Sequence, residues 1–411
     1  MLLEVSRSGA VLSQFDFSAL AGNAEGVTID TDGVIYIVSE TPELFVLTQR
    51  ADVPDGTIVA WGWNYYGQCN VPAPNSDFIA VVGGGDHSLG LKADGSIVAW
   101  GRNDFDQCNV PAPNADFVAV AGGMYHSLGL KTDGSIVAWG DNSLGQCNVP
   151  GPNPGFLGVA GGAYHSLGLN TDASIVAWGF NGYWDCCDDQ GNDFWVETGQ
   201  CNVPVPNADF IAVAAGLWHS LGMKAGGSIV AWGCGDHQYD YGQCNIPAPN
   251  THFVAVAARS SHSLGLKAGG AIVAWGDNYD GQCKVPAPNR DFIAVAAGGG
   301  YSGGHSLGLK ADGSVVAWGH DGAGQCNVPA PNADFVAVAA GRSHSLGLKG
   351  IYGDFDIDGD VGLSDFAVLS NCLSGPGVRA PLGCARASLD GDVDVDLADF
   401  SIFQRAFSGG S

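Results

Sequence analysis

Between Ile58 and Lys349 the chain repeats one pattern seven times: Ile-Val-Ala-Trp-Gly, then Gln-Cys-Asn-Val-Pro, then Phe-Val-Ala-Val-Ala-Gly, then His-Ser-Leu-Gly-Leu-Lys, with small variations. The tryptophans that mark the copies are Trp61, Trp100, Trp139, Trp178, Trp232, Trp275 and Trp318, spaced 39, 39, 39, 54, 43 and 43 residues apart. A fixed period of this size means one supersecondary unit copied along the chain, each copy burying its apolar surface against the next. It decides the fold before any local argument.

Each copy reads as four short strands. Ser-Ile-Val-Ala-Trp is rich in β-branched residues, and Ser-Leu-Gly-Leu-Lys runs through Ala-Asp-Gly or Thr-Asp-Gly into it, a hairpin signal. Phe-Val-Ala-Val-Ala ends at glycine. Gln-Cys-Asn-Val-Pro ends at proline, which suits an outer edge strand. The central glycine of Ser-Leu-Gly-Leu suggests close approach of another backbone near an axis. The array opens at Thr57–Trp61 without a preceding His-Ser-Leu and ends at His344–Lys349 without a following Trp-Gly. Joined, these ends complete one unit and cover both exposed edges. The expected fold is an all-β, seven-bladed β-propeller over residues 51–350. Gly at 63 of 411 residues and charged residues at only 14% agree with short strands and tight turns.

The pattern Val-x-Ala-Trp-Gly, Gly-Gln, Val-Ala-Ala-Gly, His-Ser-Leu-x-Leu, Asp-Gly resembles the regulator of chromosome condensation repeat across about 300 residues. Its short period and Gln-Cys-Asn-Val-Pro-Ala segment are similar to bacterial members, among them a secreted propeller that inhibits β-lactamases. The eukaryotic namesake is a nucleotide-exchange factor that binds chromatin. A net charge of -26 argues against that chromatin role, and against nucleic acid generally, because phosphate binding needs clustered Lys and Arg. Asp106, Arg259 and Ala173 replace expected glycines.

Two flanking segments differ from the array. Residues 1–50 read as three or four alternating strands, enough for one blade. The run Glu25–Glu40 resembles the last blade of a quorum-sensing-regulator-associated propeller family. Residues 351–411 carry ten Asp against three Arg. There, Asp354, Asp356, Asp358, Asp360 and Asp365 fall at ligand positions of a twelve-residue calcium loop, with Gly359 at its turn, followed by an apolar helix. A second loop would use Ser388, Asp390, Asp392, Asp394 and Asp399, with Val393 at the turn position, so weaker Ca²⁺ binding is expected there. The paired loop-helix makes this a small α calcium-loop domain and resembles a type I dockerin. That resemblance implies docking to a cohesin-like protein, with Leu363, Ser364, Leu397 and Ala398 at the recognition positions.

No 18-residue apolar run is present, so no membrane insertion is expected. The N-terminus does not read as a signal peptide. Even so, the modular composition suggests a secreted or cell-surface bacterial protein. Seven cysteines at one repeat position (Cys69, Cys108, Cys147, Cys201, Cys244, Cys283, Cys326) read as small buried residues, and Cys186, Cys187, Cys234, Cys372 and Cys384 as candidates for disulfides. The seven repeat histidines read as a buried ring bonded to neighbouring backbone, not a metal site, and the repeat tryptophans as core.

Function is expected where the copies disagree: just after each Trp-Gly and just before each His-Ser. Those positions hold Trp63, Tyr65, Phe105, Tyr125, Tyr164, Trp184, Trp195, Trp218, Tyr239, Tyr279 and Tyr301, with acidic neighbours. Exposed aromatics are favoured anchors for a protein or carbohydrate partner. No zinc-protease motif or phosphate loop is present, and no catalytic residue is assigned. The reading is a non-enzymatic binding or scaffold protein. Its alternatives are an inhibitor or receptor of one protein, and a component of a polysaccharide-degrading assembly.

Overall fold

The computed structural model describes residues 56–185, 194–234, 240–301 and 303–350, together with the backbone of five strands between Leu2 and Leu47; side chains at 183–185 and 194–196 are not among those described. The calcium loops, the helices and the docking positions expected in 351–411 lie outside the described residues. In the N-terminal segment, Leu2–Val5 pairs with Val11–Phe15, and Ala24–Ile29, Ile35–Ser39 and Leu44–Leu47 form a second sheet.

From Thr57 to Lys349 the chain forms seven three-stranded antiparallel blades. Blade I comprises Phe78–Gly83, His87–Lys92 and Ile97–Gly101. Blades II to VI follow in order, beginning at Phe117, Phe156, Phe210, Phe253 and Phe292. Blade VII takes Phe335–Ala340 and His344–Lys349 from the end of the array and Thr57–Gly62 from its start. Leu346 lies opposite Ala60 and Gly347 opposite Val59, so the circle closes through the two incomplete ends.

Among the described residues no blade has the expected fourth strand. Gln68–Pro74 is a turn and an irregular segment, as are its counterparts. The physical reason is in the residues: Pro72 and Pro74 carry no N–H and cannot ladder to a neighbour. The next residue substitutes for the ladder. Asn75 Oδ1 accepts from Ile58 N and its Nδ2 donates to Ile58 O, both at 2.8 Å. Asn114 and Asn332 make the same pair of bonds to Ile97 and Val315.

The core lies between blades. Leu89, Leu91 and Ile97 of blade I pack against Phe117, Val120 and Trp139 of blade II. The closing contact sets Ile58, Leu346 and Leu348 against Phe78, Val81 and Trp100. No blade is stable without a neighbour, which is why closure matters. The glycine of Ser-Leu-Gly-Leu serves this core and not a neighbouring backbone. A Cβ on Gly90 would stand 2.5 Å from the Phe78 ring of the same blade, and Gly129 stands likewise against Phe117. At the far end of this ring Lys92 Nζ lies 4.7 Å from its centroid. Six blades repeat that cation–π pair, and blade III has Asn170 instead.

A continuous polar belt joins the blades. His87 Nε2 lies 3.0 Å from Ser127 Oγ of the next blade. The same link runs through His126, His165, His219, His262 and His305, and His344 returns it to Ser88. Each serine donates in turn to a glutamine carbonyl, as Ser127 does to Gln107 O at 2.9 Å. That carbonyl also accepts from Trp139 Nε1 at 2.9 Å. A hydroxyl has one proton, so each serine accepts from Nε2–H, and every belt histidine is neutral with its proton on Nε2. The partner is thus a side chain where backbone was expected. Burial depresses the pKa of all seven histidines, to about 3 in five and about 4 in His126 and His262.

The repeat cysteines are half-buried and have a fixed role. Cys108 Sγ reaches Arg102 O at 3.2 Å and Cys283 Sγ reaches Asp277 O at 3.2 Å, in each case the residue after Trp-Gly. In blade IV that residue is Cys234. The reach becomes covalent there, as the Cys234–Cys244 disulfide with Cα atoms 6.2 Å apart. A repeat cysteine, Cys244, is therefore the partner of Cys234, against the expectation that repeat cysteines are only small core residues. Burial raises the pKa of the free repeat thiols to about 11 or 12, which keeps them unreactive.

Candidate functional site: the aromatic face at the axis mouth

In each blade the first strand runs to the loop before His, the second returns, and the third runs forward to Trp-Gly. His87 pairs with Gly101, so the loop before His and the loop after Trp-Gly emerge on one face. The opposite face holds the Asp-Gly turns and the Lys–Phe pairs. All the irregular segments, including the Gly182–Asp185 and Phe194–Glu197 hairpin, therefore leave from the first face, here termed the top.

The two variable positions are neighbours in space. Arg102 N donates to Asp86 O at 2.8 Å, Asp141 N to Tyr125 O at 2.9 Å and Phe180 N to Tyr164 O at 2.9 Å. The residue after Trp-Gly thus lies beside the residue before His in the same blade. These bonds use only backbone, so both side chains are free to vary.

Around the axis mouth the backbones of adjacent blades are tied together. Gly85 N donates to Gly123 O, Met124 N to Gly162 O, Ala163 N to Gly216 O, Leu217 N to Ser260 O, Gly299 N to Gly341 O and Arg342 N to Gly85 O. Ser260 Oγ supplies the seventh tie, to Gly300 O at 2.6 Å. Met124, Ala163 and Leu217 form a buried apolar floor beside Tyr125, Tyr164 and Trp218.

Over this floor lies a band of rings. Phe105 and Tyr125 have centroids 5.1 Å apart, Tyr125 and Tyr164 6.3 Å, Tyr164 and Trp218 6.1 Å, and Trp218 and Tyr301 6.3 Å. Phe180 fills the angle between Tyr164 and Trp218 at 6.2 and 5.7 Å. Tyr301 of blade VI donates to Tyr164 of blade III across the axis at 2.6 Å. Arg102 extends the band, with Cζ 5.3 Å from the Tyr125 centroid and 4.9 Å from that of Tyr66.

Of the residues singled out in the sequence, Phe105, Tyr125, Tyr164, Trp218 and Tyr301 come together in this band. Trp63 and Tyr65 form an exposed stack, 6.2 Å apart at 25°, joined to the band's edge through Tyr66, whose ring centroid is 5.0 Å from that of Tyr65 and which Arg102 overlies. Tyr279 stands apart at 92% exposure. Trp184 and Trp195 occupy directly opposed positions of the hairpin, and Tyr239 lies outside the described residues. Phe180, Arg102, Arg342 and Asp86 were not singled out. Phe180 and Arg102 directly follow Trp-Gly and Asp86 directly precedes His87, positions already marked as variable; taking every residue there, aromatic or charged, would have found all three. Among the described residues no group of three or more His, Cys, Asp or Glu is placed to hold a metal ion, and no helix is long and apolar enough to cross a membrane.

Residues 78–107, 117–146 and 253–282 match the family model of the regulator of chromosome condensation (RCC1) repeat, and residues 1–49 match the SdiA-regulated family. No curated protein matches this sequence. Among solved structures, Prp20p from Saccharomyces cerevisiae is similar with a TM-score of 0.57 and 17% identity, over 75% of this chain and 94% of that one. Its structure is reported with its binding properties to Gsp1p and histones. Yeast RCC1 (Prp20) bound to Kap60 is similar with a TM-score of 0.57 and 17% identity, over 75% and 91%. Human WBSCR16 is similar with a TM-score of 0.52 and 17% identity, over 72% and 99%. The chain carries RCC1-type repeats and has the β-propeller fold of these structures.

Proposed function

We propose that this chain is a non-catalytic binding protein whose top face holds a protein partner. The observation that carries this reading is the band Phe105–Tyr125–Tyr164–Phe180–Trp218–Tyr301, contributed by five blades and partly exposed on one face only. Aromatic and Arg side chains gathered near the centre of a surface are the usual anchors of a protein interface. The protein partners of the solved neighbours, Gsp1p, histones and Kap60, support a protein ligand in kind, though not in identity. The test is capture from extracts of the producing cells, with partners identified by mass spectrometry. Tyr125→Ala with Trp218→Ala should abolish capture, and Asp133→Ala on the opposite face should not. Equal capture by both variants would overturn the reading.

A glycan ligand is the second reading. It is favoured by Trp63 and Tyr65, near-parallel and 46% and 76% exposed, since flat exposed rings suit sugar stacking. A glycan array with Trp63→Ala as control tests it.

The finer functional picture rests on sequence resemblance. In it, residues 351–411 bind Ca²⁺ and dock to a cohesin-type partner, and the protein is exported as an inhibitor, receptor or component of a polysaccharide-degrading assembly. The Cys234–Cys244 disulfide supports an oxidising compartment. Chelation should abolish cohesin docking and spare the propeller; docking that survives chelation would refute the calcium requirement.

A further inference from the structure

Four departures from the repeat meet at one place. Asp86 stands where blades II, III and IV carry Tyr125, Tyr164 and Trp218, and it is only 3% exposed. Its Oδ2 lies 3.6 Å from Arg102 Nη1 and 3.7 Å from Arg342 Nη1. Arg342 packs over Gly300 of blade VI. Burial raises the Tyr164 pKa, and Arg342 is among the groups close enough to oppose the rise. Asp86, Arg102, Tyr125, Tyr164 and Arg342 thus close a circuit around the axis mouth.

Arg259 completes the cluster from blade V. Its Nη1 donates across the axis to Gly83 O at 3.1 Å and Gly122 O at 3.2 Å. Its Nη2 is buried without a hydrogen-bond partner, in a residue 9% exposed. Burial brings its pKa down to about 10, and the one carboxylate that counters this is Asp86. The other six blades have glycine at this position: Gly84, Gly123, Gly162, Gly216, Gly298 and Gly341. A Cβ there would come within 2.0–2.3 Å of a belt histidine ring. Blade V makes room by pairing Arg259 with His262 and turning through Ser260 at φ 52. Left-handed backbone at a non-glycine residue is costly and gathers at functional places.

The charge balance is unusual. Residues 56–350 contain four arginines, Arg102, Arg259, Arg290 and Arg342, and three of them are here. Against them stand Asp86, Asp104, which bonds Arg102 Nε at 2.8 Å, and Asp141, whose backbone bonds Tyr125 and whose carboxylate acts on Tyr164, so the mouth is balanced (3 - 3). This locally balanced cluster sits at the centre of a chain of net charge -26. The surrounding negative field disfavours multiply charged anions, so an anion attracted by the gathered guanidinium groups should carry a single charge.

We propose that the axis mouth is a subsite for a single carboxylate carried on a ring-shaped body. The carboxylate takes free N–H groups of Arg102 and Arg342, whose guanidinium forks suit it. Arg259 supplies the buried positive charge, and the ring lies against Tyr125 and Tyr164. The inference rests on the reading of the top face as the recognition surface and names what its centre selects.

Isothermal titration of the full chain tests it, with benzoate and glucuronate as probes and benzamide and glucose as their neutral counterparts. The carboxylates should bind at least tenfold more tightly than the neutral compounds. Arg342→Gln should weaken carboxylate binding about tenfold, in line with loss of one charge-assisted contact, and Arg259→Gly should weaken it severalfold through loss of the buried charge. Arg259→Gly restores the residue of the other six blades, so its Tm should be no lower. Asp86→Asn should strengthen binding severalfold, a sign that general loss of structure cannot produce. Tighter benzoate marks an arene acid and tighter glucuronate an acidic sugar. Equal binding of charged and neutral probes, no binding of any probe at millimolar concentration, or weakening by Asp86→Asn would overturn the proposal. If carboxylates fail while Tyr125→Ala with Trp218→Ala still abolishes partner capture, the subsite is refuted and the recognition face stands.

Discussion

Lowering the pH from 7.5 to 5 should unfold this propeller through its histidine belt. All seven belt histidines are buried and neutral, with folded pKa values of about 3 or 4. The unfolded reference is about 6.5. The folded pKa is the lower one, so the unfolded chain binds more protons; stability is full above pH 6.5 and is lost as pH falls toward 4. At pH 5 each histidine favours the unfolded chain by roughly 2 kcal/mol, and seven together by roughly 14 kcal/mol. That matches the whole stability of an ordinary domain, about 5–15 kcal/mol. Two other effects are separable. Relief of repulsion among the many carboxylates acts in the opposite direction. The hydrogen-bonded carboxylates Asp94, Asp133, Asp172 and Asp312 have lowered pKa values, so they lose their contribution only below this window. Urea unfolding followed by tryptophan fluorescence at pH 7.5, 6.5, 5.5 and 5.0 should show a midpoint that falls steeply below 6.5. Calorimetry in buffers of different ionisation heat should count close to seven protons taken up on unfolding at pH 5. A constant midpoint across this range, or uptake of fewer than two protons, would refute the neutral, Nε2-protonated belt.

Ala173 holds φ 63 where the other blades turn through glycine, so Ala173→Gly should raise stability by roughly 1 kcal/mol, read from the urea midpoint. Ser127→Ala strands His87 Nε2–H inside the protein and should cost about 1–3 kcal/mol, whereas Ser76→Ala, at a half-buried serine whose hydroxyl bonds only the exposed Asp77, should cost much less. Gly129→Ala should destabilise by about 1–3 kcal/mol or more, because its Cβ meets the Phe117 ring at 2.5 Å; a neutral result would mean the blade flexes around that ring. Asp277→Cys places a thiol where Cys234 stands in blade IV, and mass spectrometry after non-reducing digestion should find it joined to Cys283.

What the repeat made legible was the scaffold. Strand identity, hairpin turns and closure through Thr57–Gly62 follow from residue pattern, because each copy repeats the same local preferences and the two ends are complementary. The fourth strand misled because Val71 looks like a strand residue while Pro72 and Pro74 remove the donors a ladder needs. Nothing in a linear reading shows that Asn75 would take over that pairing. The belt was half visible: His and Ser recur together, but their partners belong to different blades, 40 to 55 residues apart in the six sequential links. Likewise Cys244 looked equivalent to its six counterparts until its spatial neighbour proved to be Cys234. The aromatic half of the top face was legible as variation. Its charged half was not, because Asp86, Arg102, Arg259 and Arg342 are 16 to 157 residues apart in neighbouring pairs and meet only when the circle closes.

The division between constant and variable positions has a mechanical cause. The constant side chains make the bonds that cross from blade to blade: His to Ser, Ser and Trp to the glutamine carbonyl, Leu and Ile to Phe and Trp. Changing one costs an inter-blade contact, and in a closed circle there is no free end at which that loss could be relieved. The variable positions are held by backbone alone, as Arg102 N is by Asp86 O. Their side chains can therefore be exchanged between Asp, Tyr, Trp, Ser and Arg without loosening the ring. Arg259 is the instructive exception. It stands at a position the other six blades keep as glycine, and its insertion is accompanied by a left-handed Ser260. A residue that disturbs the scaffold, crosses the axis and still leaves a buried N–H without an acceptor is poorly explained by packing. An anionic group at the axis mouth is the simplest chemistry that would make use of its charge.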